Sequence, residues 1–283
     1  MIHRHVGQYA VRKMCRWLSV SASGYYAWRA RRESARDRED RRLVVEIRAL
    51  HESTRRSYGS PRIVAELRGR GWRVGRHRVA RLMRREGLRA KPRRRFRVTT
   101  RSDHNHPVAI DRVRRRFTAP APNRLWVSDI TYVWTREGWL YLAIILDLFS
   151  RRVVGWSMGS RLTSALAVDA LRMAVGRRRP SIGLVVHSDR GVQYASAEFR
   201  KALLACGAIQ SMSRKGNCYD NAVAESFFGS LKIEWIPDRW YDTRAEARRD
   251  IVEYIEAFYN CRRLHSTLGR LSPQAFERQA AGA

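Results

Sequence analysis

Three acidic residues stand at positions where acids are unusual, and carboxylates in such places can bind metal ions. Asp129 interrupts the β-branched and aromatic run 125-LWVSDITYVW-134, and Asp189 ends the apolar run 182-IGLVVHSD-189. Glu225 lies beside the apolar stripe of an amphipathic helical pattern. Hard cations such as Mg²⁺ prefer carboxylate oxygens and take few protein ligands. Three carboxylates could therefore hold two ions about 3.5–4 Å apart, an arrangement that activates water or a hydroxyl in phosphodiester chemistry.

Each acid also has a simple structural interpretation. Asp129 could cap or turn an edge strand, and Asp189 with the following Arg-Gly pair could form a plain turn. Glu225 could be an ordinary surface acid close to a helix N-terminus, where it complements the helix dipole. Asp147 lies in a comparable predicted strand and shows that an acid in an apolar run need not be catalytic. Taken one at a time, the three acids leave both interpretations open.

The pattern after residue 118 predicts a mixed sheet flanked by helices, an α/β fold. Strands are predicted at 125–134, 139–150 and 152–159, with spacing typical of hairpins. Helices and strands then alternate: helix 163–178, strand 182–189, helix 196–207, strand 208–213, the helix carrying Glu225, and a long helix at 244–263. In this topology the first and fourth strands are neighbours, so Asp129 and Asp189 could lie side by side.

Charge is the strongest global feature, since the 283-residue chain carries a formal net charge of +31. Residues 1–118 have 34 basic and 10 acidic residues, a net of +24, and residues 119–283 have 23 and 16, a net of +7. This asymmetry predicts a polyanion-binding N-terminal part. Nucleic acid is the favoured polyanion, because so basic a chain would otherwise repel itself. An anionic membrane surface is the less favoured alternative.

Composition predicts a globular protein, with 44% hydrophobic and 10% aromatic residues in one large domain or two to three small ones. The longest apolar runs, such as 139–149, are too short to cross a bilayer and contain an acid. The N-terminus lacks the apolar stretch of a signal peptide, which predicts a cytoplasmic protein. The 4 cysteines form no CxxC pair, which disfavours zinc clusters and disulfide frameworks.

The basic N-terminal part contains helical patterns at 41–52, 61–70 and 75–87. The last two are joined by 69-GRGWRVG-75 and resemble a helix-turn-helix, whose second helix would enter a DNA groove. Its predicted DNA contacts are Arg76, Arg78, Arg81, Arg84 and Arg85. A basic helical hairpin that binds phosphates without reading bases is the alternative. Residues 88–117 lack periodicity and predict an extended linker along the DNA backbone, with contacts from Arg93, Arg94 and Arg95.

Four blocks of sequence together resemble the integrase core of bacterial insertion-sequence transposases: 126-WVSDITYV-133, 187-HSDRGVQYAS-196, 213-SRKGNCYDNAVAESFFGSLKIE-234 and 259-YNCRRLHSTLGRLSPQAF-276. The strongest resemblance is to the OrfB-type products of the insertion-sequence-three family, relatives of retroviral integrases. Asp189 and Glu225 are separated by 35 residues, as that family's D…D-x35-E pattern requires, and Lys232 supplies the basic residue seven positions after the glutamate. The resemblance covers about residues 8–278. Four blocks that agree in order and spacing favour the functional interpretation of the acids.

The resemblance implies a ribonuclease-H-like integrase core preceded by an all-α helix-turn-helix region. Asp129, Asp189 and Glu225 would bind two Mg²⁺ ions, for which Mn²⁺ could substitute. Metal-activated water would cleave at the element's end and expose a 3′-hydroxyl. That hydroxyl would then attack another phosphodiester directly, without a covalent protein intermediate. The implied activity is that of a metal-dependent transposase.

Further residues have implied roles around the acids. Lys232 is expected to meet DNA near the scissile phosphate. His187, Gln193 and Asn221 are expected to position ligands rather than bind metal, and for His187 packing is an equal alternative. The implied domains are a helical region at 1–40 with a solvated helical linker at 31–40, a helix-turn-helix domain at 41–97, a basic linker at 98–118, the catalytic core at 119–235, and a helical extension at 236–283.

The implied partners are double-stranded DNA at the element ends and target, and a second copy of the chain on that DNA. Fusion with, or binding to, a protein from an upstream reading frame is also implied, with no membrane partner and a location in the bacterial cytoplasm at the nucleoid. A non-catalytic DNA-binding regulator on the same scaffold is the alternative function. An RNA–DNA hybrid nuclease would share the core but would leave the helix-turn-helix unexplained.

Overall fold

The chain forms a helical N-terminal region followed by a sheet with helices on both faces. The structure, a computed structural model, describes residues 1–31, 33–92, 107–214, 221–236 and 240–282. The N-terminal helices are α1 (Val11–Trp17), α2 (Ala22–Ala30), α3 (Ala35–Ser53), α4 (Ser60–Gly69) and α5 (Arg76–Arg85). The strands are β1 (Leu125–Thr135), β2 (Gly138–Asp147), β3 (Val153–Gly159), β4 (Val185–Ser188) and β5 (Ile209–Met212). The remaining helices are α6 (Ser164–Arg178), α7 (Val192–Ala195), α8 (Ala197–Ala205), α9 (Ala222–Ser230), α10 (Arg244–Val252) and α11 (Pro273–Ala281).

The five strands lie in the order β3-β2-β1-β4-β5. Strand β1 is antiparallel to β2 and parallel to β4, and β4 is parallel to β5. The parallel pairing joins Trp126 to Val186 and Val127 to His187. The prediction that the first and fourth strands are neighbours is therefore confirmed. The described residues contain no helix long and apolar enough to cross a membrane.

Alternation along β1 divides the core into two layers, because successive side chains of a strand point to opposite faces. Val127 and Val133 pack in the cluster that contains the apolar face of α9, with Phe227 and Leu231. Trp126 belongs instead to the cluster formed with α6 and α8. Residues of odd number in this part of β1 therefore face α9, and Asp129 is one of them.

The helical N-terminal region differs from its prediction at the start of α3. The helix begins at Ala35, because Ser34 caps it by accepting a hydrogen bond from the Asp37 backbone N–H. The segment 31–40 was predicted to be a solvated helical linker, and residues 35–39 are indeed helical and exposed, whereas its last residue is not solvated. Asp40 is buried and bonds Arg78 and Arg81 of α5 at 2.7 Å each. Helix α3 also runs through the predicted domain boundary at 40/41.

Helices α3 to α5 pack against the C-terminal part of the chain and share one apolar cluster with it. The Tyr58 hydroxyl accepts a hydrogen bond from the Leu264 backbone N–H at 2.8 Å. Arg55 pairs with Asp250 at 2.8 Å, and its guanidinium lies 3.7 Å from the centre of the Trp235 ring. The helical region is therefore attached to α10 and to the segment that continues α9, the helix that carries Glu225.

Several C-terminal details were not predicted. Helix α9 continues as a π-helical segment, Leu231–Trp235, and α10 as a second one, Glu253–Tyr259. Helix α11 begins at Pro273, whose missing N–H is tolerated in a first helical turn. The end of the predicted linker also belongs to the core, since Arg112 donates its backbone N–H to Ser211 of β5 at 2.9 Å.

Candidate active site

Asp129 and Asp189 lie where the ladder between β1 and β4 ends. The last paired residues are Val127 and His187, and each acid is two positions further along its own chain. Parallel strands are about 4.8 Å apart, so this register brings the two acids to one edge and one face. Asp129 is half-buried and its Oδ1 accepts a hydrogen bond from the Ile130 backbone N–H at 2.8 Å.

The loop after β4 is shaped around the Asp189 carboxylate. Gly191 donates its backbone N–H to Asp189 Oδ1 at 2.9 Å. A Cβ at residue 191 would lie 3.0 Å from the same oxygen and 3.1 Å from Gln193 Oε1, so only glycine allows this close approach without displacement. Arg190 Nε donates to the Ser213 carbonyl at 2.6 Å and ties the loop to the end of β5. The turn at Arg190 and Gly191 considered in the sequence analysis is therefore present, and its backbone positions the Asp189 carboxylate.

Glu225 reaches the same region from the first turn of α9. The buried side chains Ala224, Phe227 and Phe228 attach the helix to the sheet cluster, as the apolar stripe predicts. Asn221, just before the helix, donates its Nδ2–H to the Ser128 carbonyl at 3.2 Å. This bond links the start of α9 to the residue that precedes Asp129.

The charges of the three acids affect one another's pKa values. Burial raises the pKa of Asp129 well above its usual value, and the charges of Asp189 and Glu225 raise it further. Partial burial and then the Asp189 charge raise the pKa of Glu225. A like charge in a poorly solvated place disfavours the ionised form of a carboxyl group. A cation near these acids would relieve the repulsion between their charges.

Tyr194 is a further component that the sequence analysis did not assign. Its buried hydroxyl accepts a hydrogen bond from Ser128 Oγ at 2.9 Å, next to Asp129 in the chain. Burial raises its pKa well above the usual value, and the charges of Asp129 and Asp189 add to this. The residue lies within the block 187–196, five positions after Asp189, where it reads as an ordinary core aromatic.

The other predicted site residues differ in how they are held. His187 is buried on β4 with its Nδ1 2.9 Å from Ser211 Oγ, so it packs between two strands. Gln193 lies in α7, the short helix that follows Asp189. Lys232 is exposed, and its Nζ is 5.1 Å from the centre of the Tyr132 ring. Partial desolvation lowers the pKa of Lys232, and the Asp129 charge opposes this.

The donor set fits a hard divalent cation, because it offers carboxylate oxygens and no sulfur. The mutual repulsion of the acids gives such an ion a reason to bind. As the side chains stand, however, the described residues contain no group of three or more His, Cys, Asp or Glu side chains gathered closely enough to hold a metal ion. The carboxylates are within electrostatic reach of one another.

The arginines predicted to contact DNA on α5 fall into two groups. Arg76 and Arg84 are exposed. Arg78 pairs with Glu39 and Asp40, Arg81 with Asp40, and Arg85 with Glu86. Arg93, Arg94 and Arg95 lie outside the described residues.

Fold and site together define an integrase-type catalytic core that follows a helix-turn-helix region. Matches to family models agree: "Integrase core domain" matches residues 119–218, a second model of that description matches 207–273, and "HTH-like domain" matches 37–96. The predicted fold class, a mixed-sheet integrase core preceded by an all-α helix-turn-helix region, is confirmed.

Relatives identify the family. The chain is 44% identical over 278 residues to "Transposase InsF for insertion sequence IS3A" of Escherichia coli (strain K12), covering 98% of this chain and 96% of the relative. It is 49% identical over 263 residues to "Insertion element IS600 uncharacterized 31 kDa protein" of Shigella sonnei, covering 93% and 97%. The chain therefore belongs to the insertion-sequence-three family of transposases.

Solved integrase structures are also similar to this chain. The catalytic core domain of HTLV-2 integrase in complex with magnesium has a TM-score of 0.41 and 17% identity, covering 56% of this chain and 98% of that one. A chain of the simian T-cell lymphotropic virus intasome in complex with PP2A regulatory subunit B56 gamma has a TM-score of 0.47 and 18% identity, covering 81% and 73%.

Proposed function

We propose that this transposase cuts and joins DNA at the ends of its insertion sequence, with Asp129, Asp189 and Glu225 as the ligands of two Mg²⁺ ions. The observation that supports this most is the parallel register of β1 and β4, which brings Asp129 and Asp189 to one edge of the sheet, and the charges of all three acids affect one another's pKa values. The functional interpretation accounts for all three together, whereas a cap, a turn and a surface acid do not explain their convergence.

Each of the three carboxylates is held in place in a different way. Asp129 lies on an inner strand with limited freedom, and Asp189 is oriented by the backbone N–H of Gly191. Glu225 sits on a helix, and rotation of its longer side chain would complete the ligand set. When bound, the two divalent ions supply Lewis acidity and an activated oxygen nucleophile for in-line displacement at phosphorus.

The rest of the site would orient the DNA and keep the acids in place. The Lys232 ammonium, near the Asp129 charge, is placed to bind a phosphate close to the scissile bond. Asn221 and Tyr194 support the strand that carries Asp129 through Ser128. Holding two DNA segments in line supplies much of the remaining rate acceleration, because it replaces a bimolecular encounter with an oriented one.

Strand cleavage and joining by the full-length protein test this function directly. The substrate is a labelled duplex that carries the terminal sequence of the protein's own element. With Mg²⁺ or Mn²⁺ we expect a nicked product with a 3′-hydroxyl and a joined product, and with chelator neither. Binding without cleavage under every metal condition would support the regulator alternative. Preferential cutting of an RNA–DNA hybrid would support the nuclease alternative.

The helical region, proposed as a DNA-binding domain at 41–97, would present α5 to DNA. Arg76 is exposed, whereas Arg78 is committed to Glu39 and Asp40. We expect Arg76→Ala to reduce the slope of log affinity against log salt concentration by about 0.9, the effect of one lost phosphate contact. Arg78→Ala is expected to change the slope less. Equal slopes for wild type and Arg76→Ala would show that Arg76 does not contact a DNA phosphate.

Assembly on DNA completes the proposal. The protein would act as a homo-oligomer that holds two element ends and a target, alone or joined to an upstream-frame protein, in the bacterial cytoplasm at the nucleoid. The remaining domains are proposed as a helical region at 1–40, a basic linker at 98–118, the core at 119–235 and its extension at 236–283. The charge of +31 fits a polyanionic partner.

A further inference from the structure

Four large aromatic side chains form an exposed row at one end of the sheet. The row comprises Tyr132 and Trp134 of β1, Trp139 of β2, and Trp240, and their exposed fractions are 37%, 39%, 41% and 60%. Ring centres are 4.8 Å apart for Tyr132 and Trp139, 4.6 Å for Trp134 and Trp139, and 5.8 Å for Trp134 and Trp240. We call these four residues the aromatic row.

The aromatic row is formed mainly by side chains of the β1–β2 hairpin. Trp134 and Trp139 are directly opposite each other in the antiparallel register, where aromatic pairs stabilise a hairpin. Exposed clusters of large apolar side chains mark binding surfaces more often than scattered single ones do. Their partial exposure leaves ring surface for a ligand.

The row lies close to the acid site along β1, but on the other face of the strand. Tyr132 is three residues after Asp129, a strand rises about 3.4 Å per residue, and successive side chains point to opposite faces. Lys232 connects the two features, since its Nζ lies 5.1 Å from the Tyr132 ring centre and its charge interacts with Asp129. The pairing of β1 with β4 ends at Val127, so a DNA strand that leaves the acids could pass Lys232 round this edge of β1 and then reach the row.

Local charge at the far end of the row is balanced. Arg136 pairs with Asp242 at 3.2 Å, and Glu137 accepts the backbone N–H of Arg244 at 2.8 Å. This end therefore offers aromatic rings rather than a concentration of positive charge. A ligand that meets Lys232 first and rings afterwards should be anionic at one part and flat and apolar at another.

We propose that the aromatic row binds unpaired bases of the DNA strand beside the cleavage site by stacking. The proposal rests on the proposed function, which accounts for the presence of DNA at the acids. Surfaces that bind single strands combine a basic group that follows the backbone with aromatic side chains that stack on bases. Bases inside a duplex are already stacked, so the ligand must be a frayed or single-stranded end. Stacking would favour opening of the helix next to the scissile phosphate.

A comparison of two DNA tails tests this proposal. One probe is the duplex of the element's end with a short single-stranded tail, and the other has the same tail with abasic nucleotides, which keep the phosphates but have no bases. Binding is measured with the full-length protein and without divalent ions, so that no strand is cut. We expect wild type to bind the normal tail about tenfold more tightly than the abasic tail, the effect of one stacked base.

Substitutions locate the effect. Trp134→Ala and Trp139→Ala should each bring the ratio of the two affinities close to one, and Trp134→Phe should retain most of it. Trp17→Ala, which removes an exposed tryptophan of α1, should leave the ratio as in wild type. A variant that folds poorly would lose affinity for both probes equally, so the ratio still reports on stacking.

Two outcomes would overturn the proposal. One is equal affinity of the wild-type protein for the two probes. The other is an affinity ratio that stays as in wild type in both tryptophan variants, whether or not these variants also lose self-association in sedimentation. An unchanged ratio together with a loss of self-association would assign the row to contact between two copies of the chain. Strand cleavage measured separately keeps the conclusions apart. If the wild-type protein cleaves the element end but binds both tails equally, only the stacking proposal is refuted. If it prefers the normal tail but does not cleave, the proposed function is refuted.

Discussion

Replacing Asp189 by asparagine is expected to lower strand cleavage by about a thousandfold or more while leaving DNA affinity almost unchanged. The substitution keeps the size of the side chain but removes an anionic metal ligand. Metal ions contribute several kcal/mol to phosphodiester chemistry, and each factor of ten in rate corresponds to about 1.4 kcal/mol. The loss of one ligand of the pair is therefore sufficient for an effect of this size. Single-turnover cleavage of the element end in Mg²⁺ measures it.

Two comparisons make the result specific. Glu225→Gln should show a loss of similar size, because that residue is coupled to the same site. Asp169→Asn changes an exposed acid on α6, whose pairing with Arg172 at 3.5 Å lies on the surface, and should cleave like wild type. Near-normal cleavage by either site variant, with Mg²⁺ as the only divalent ion, would refute the proposed ligand set.

Replacing Glu234 by leucine is expected to reduce the free energy of unfolding by about 3–5 kcal/mol, because it leaves a buried arginine without its partner. Glu234 accepts hydrogen bonds from Arg263 at 2.6 and 2.7 Å and from Arg62 at 3.0 Å. Burial alone would raise the pKa of Glu234, but the Arg263 and Arg62 charges hold it below its usual value. Arg263 is itself buried. Urea unfolding at neutral pH measures the loss.

The contribution of Glu234 should also depend on pH in a defined direction. Since the folded-state pKa is lower than the usual value of 4.5, the stabilisation is complete above that pH and is lost as the pH falls through the folded pKa. The difference between wild type and Glu234→Leu should therefore shrink in acid. Asp169→Leu provides the surface control, with an expected change below about 1 kcal/mol. A Glu234→Leu protein as stable as this control would contradict the role of the buried pair.

The sequence predicts the elements that carry the three acids better than it predicts the contacts around them. Periodicity and topology place Asp129 and Asp189 on neighbouring parallel strands, as the structure shows. They also place Glu225 on a helix with an apolar stripe, but they leave its role open. The resemblance then connects the three acids through the spacing of 35 residues.

Long-range polar partners could not be predicted in this way. Glu234 and Arg62 are 172 positions apart, and no local pattern indicates their contact. Asp40 reads as one charge among many in a basic segment, yet two arginines of α5 allow it to be buried. Tyr194 reads as a core aromatic, and only the structure shows that its hydroxyl bonds Ser128, the residue before Asp129. In each case the environment is set by packing between distant parts of the chain, which a single sequence does not display.

The most direct test of the metal site is a crystal structure of the protein with Mn²⁺ and element-end DNA, with manganese located by its anomalous scattering. Our account predicts two manganese ions between Asp129, Asp189 and Glu225, each within bonding distance of carboxylate oxygens, about 2.1 Å for Mg²⁺ itself. The three side chains would be closer to one another than they are without metal. Manganese bound elsewhere at saturating concentration, with the three carboxylates still apart, would contradict the account.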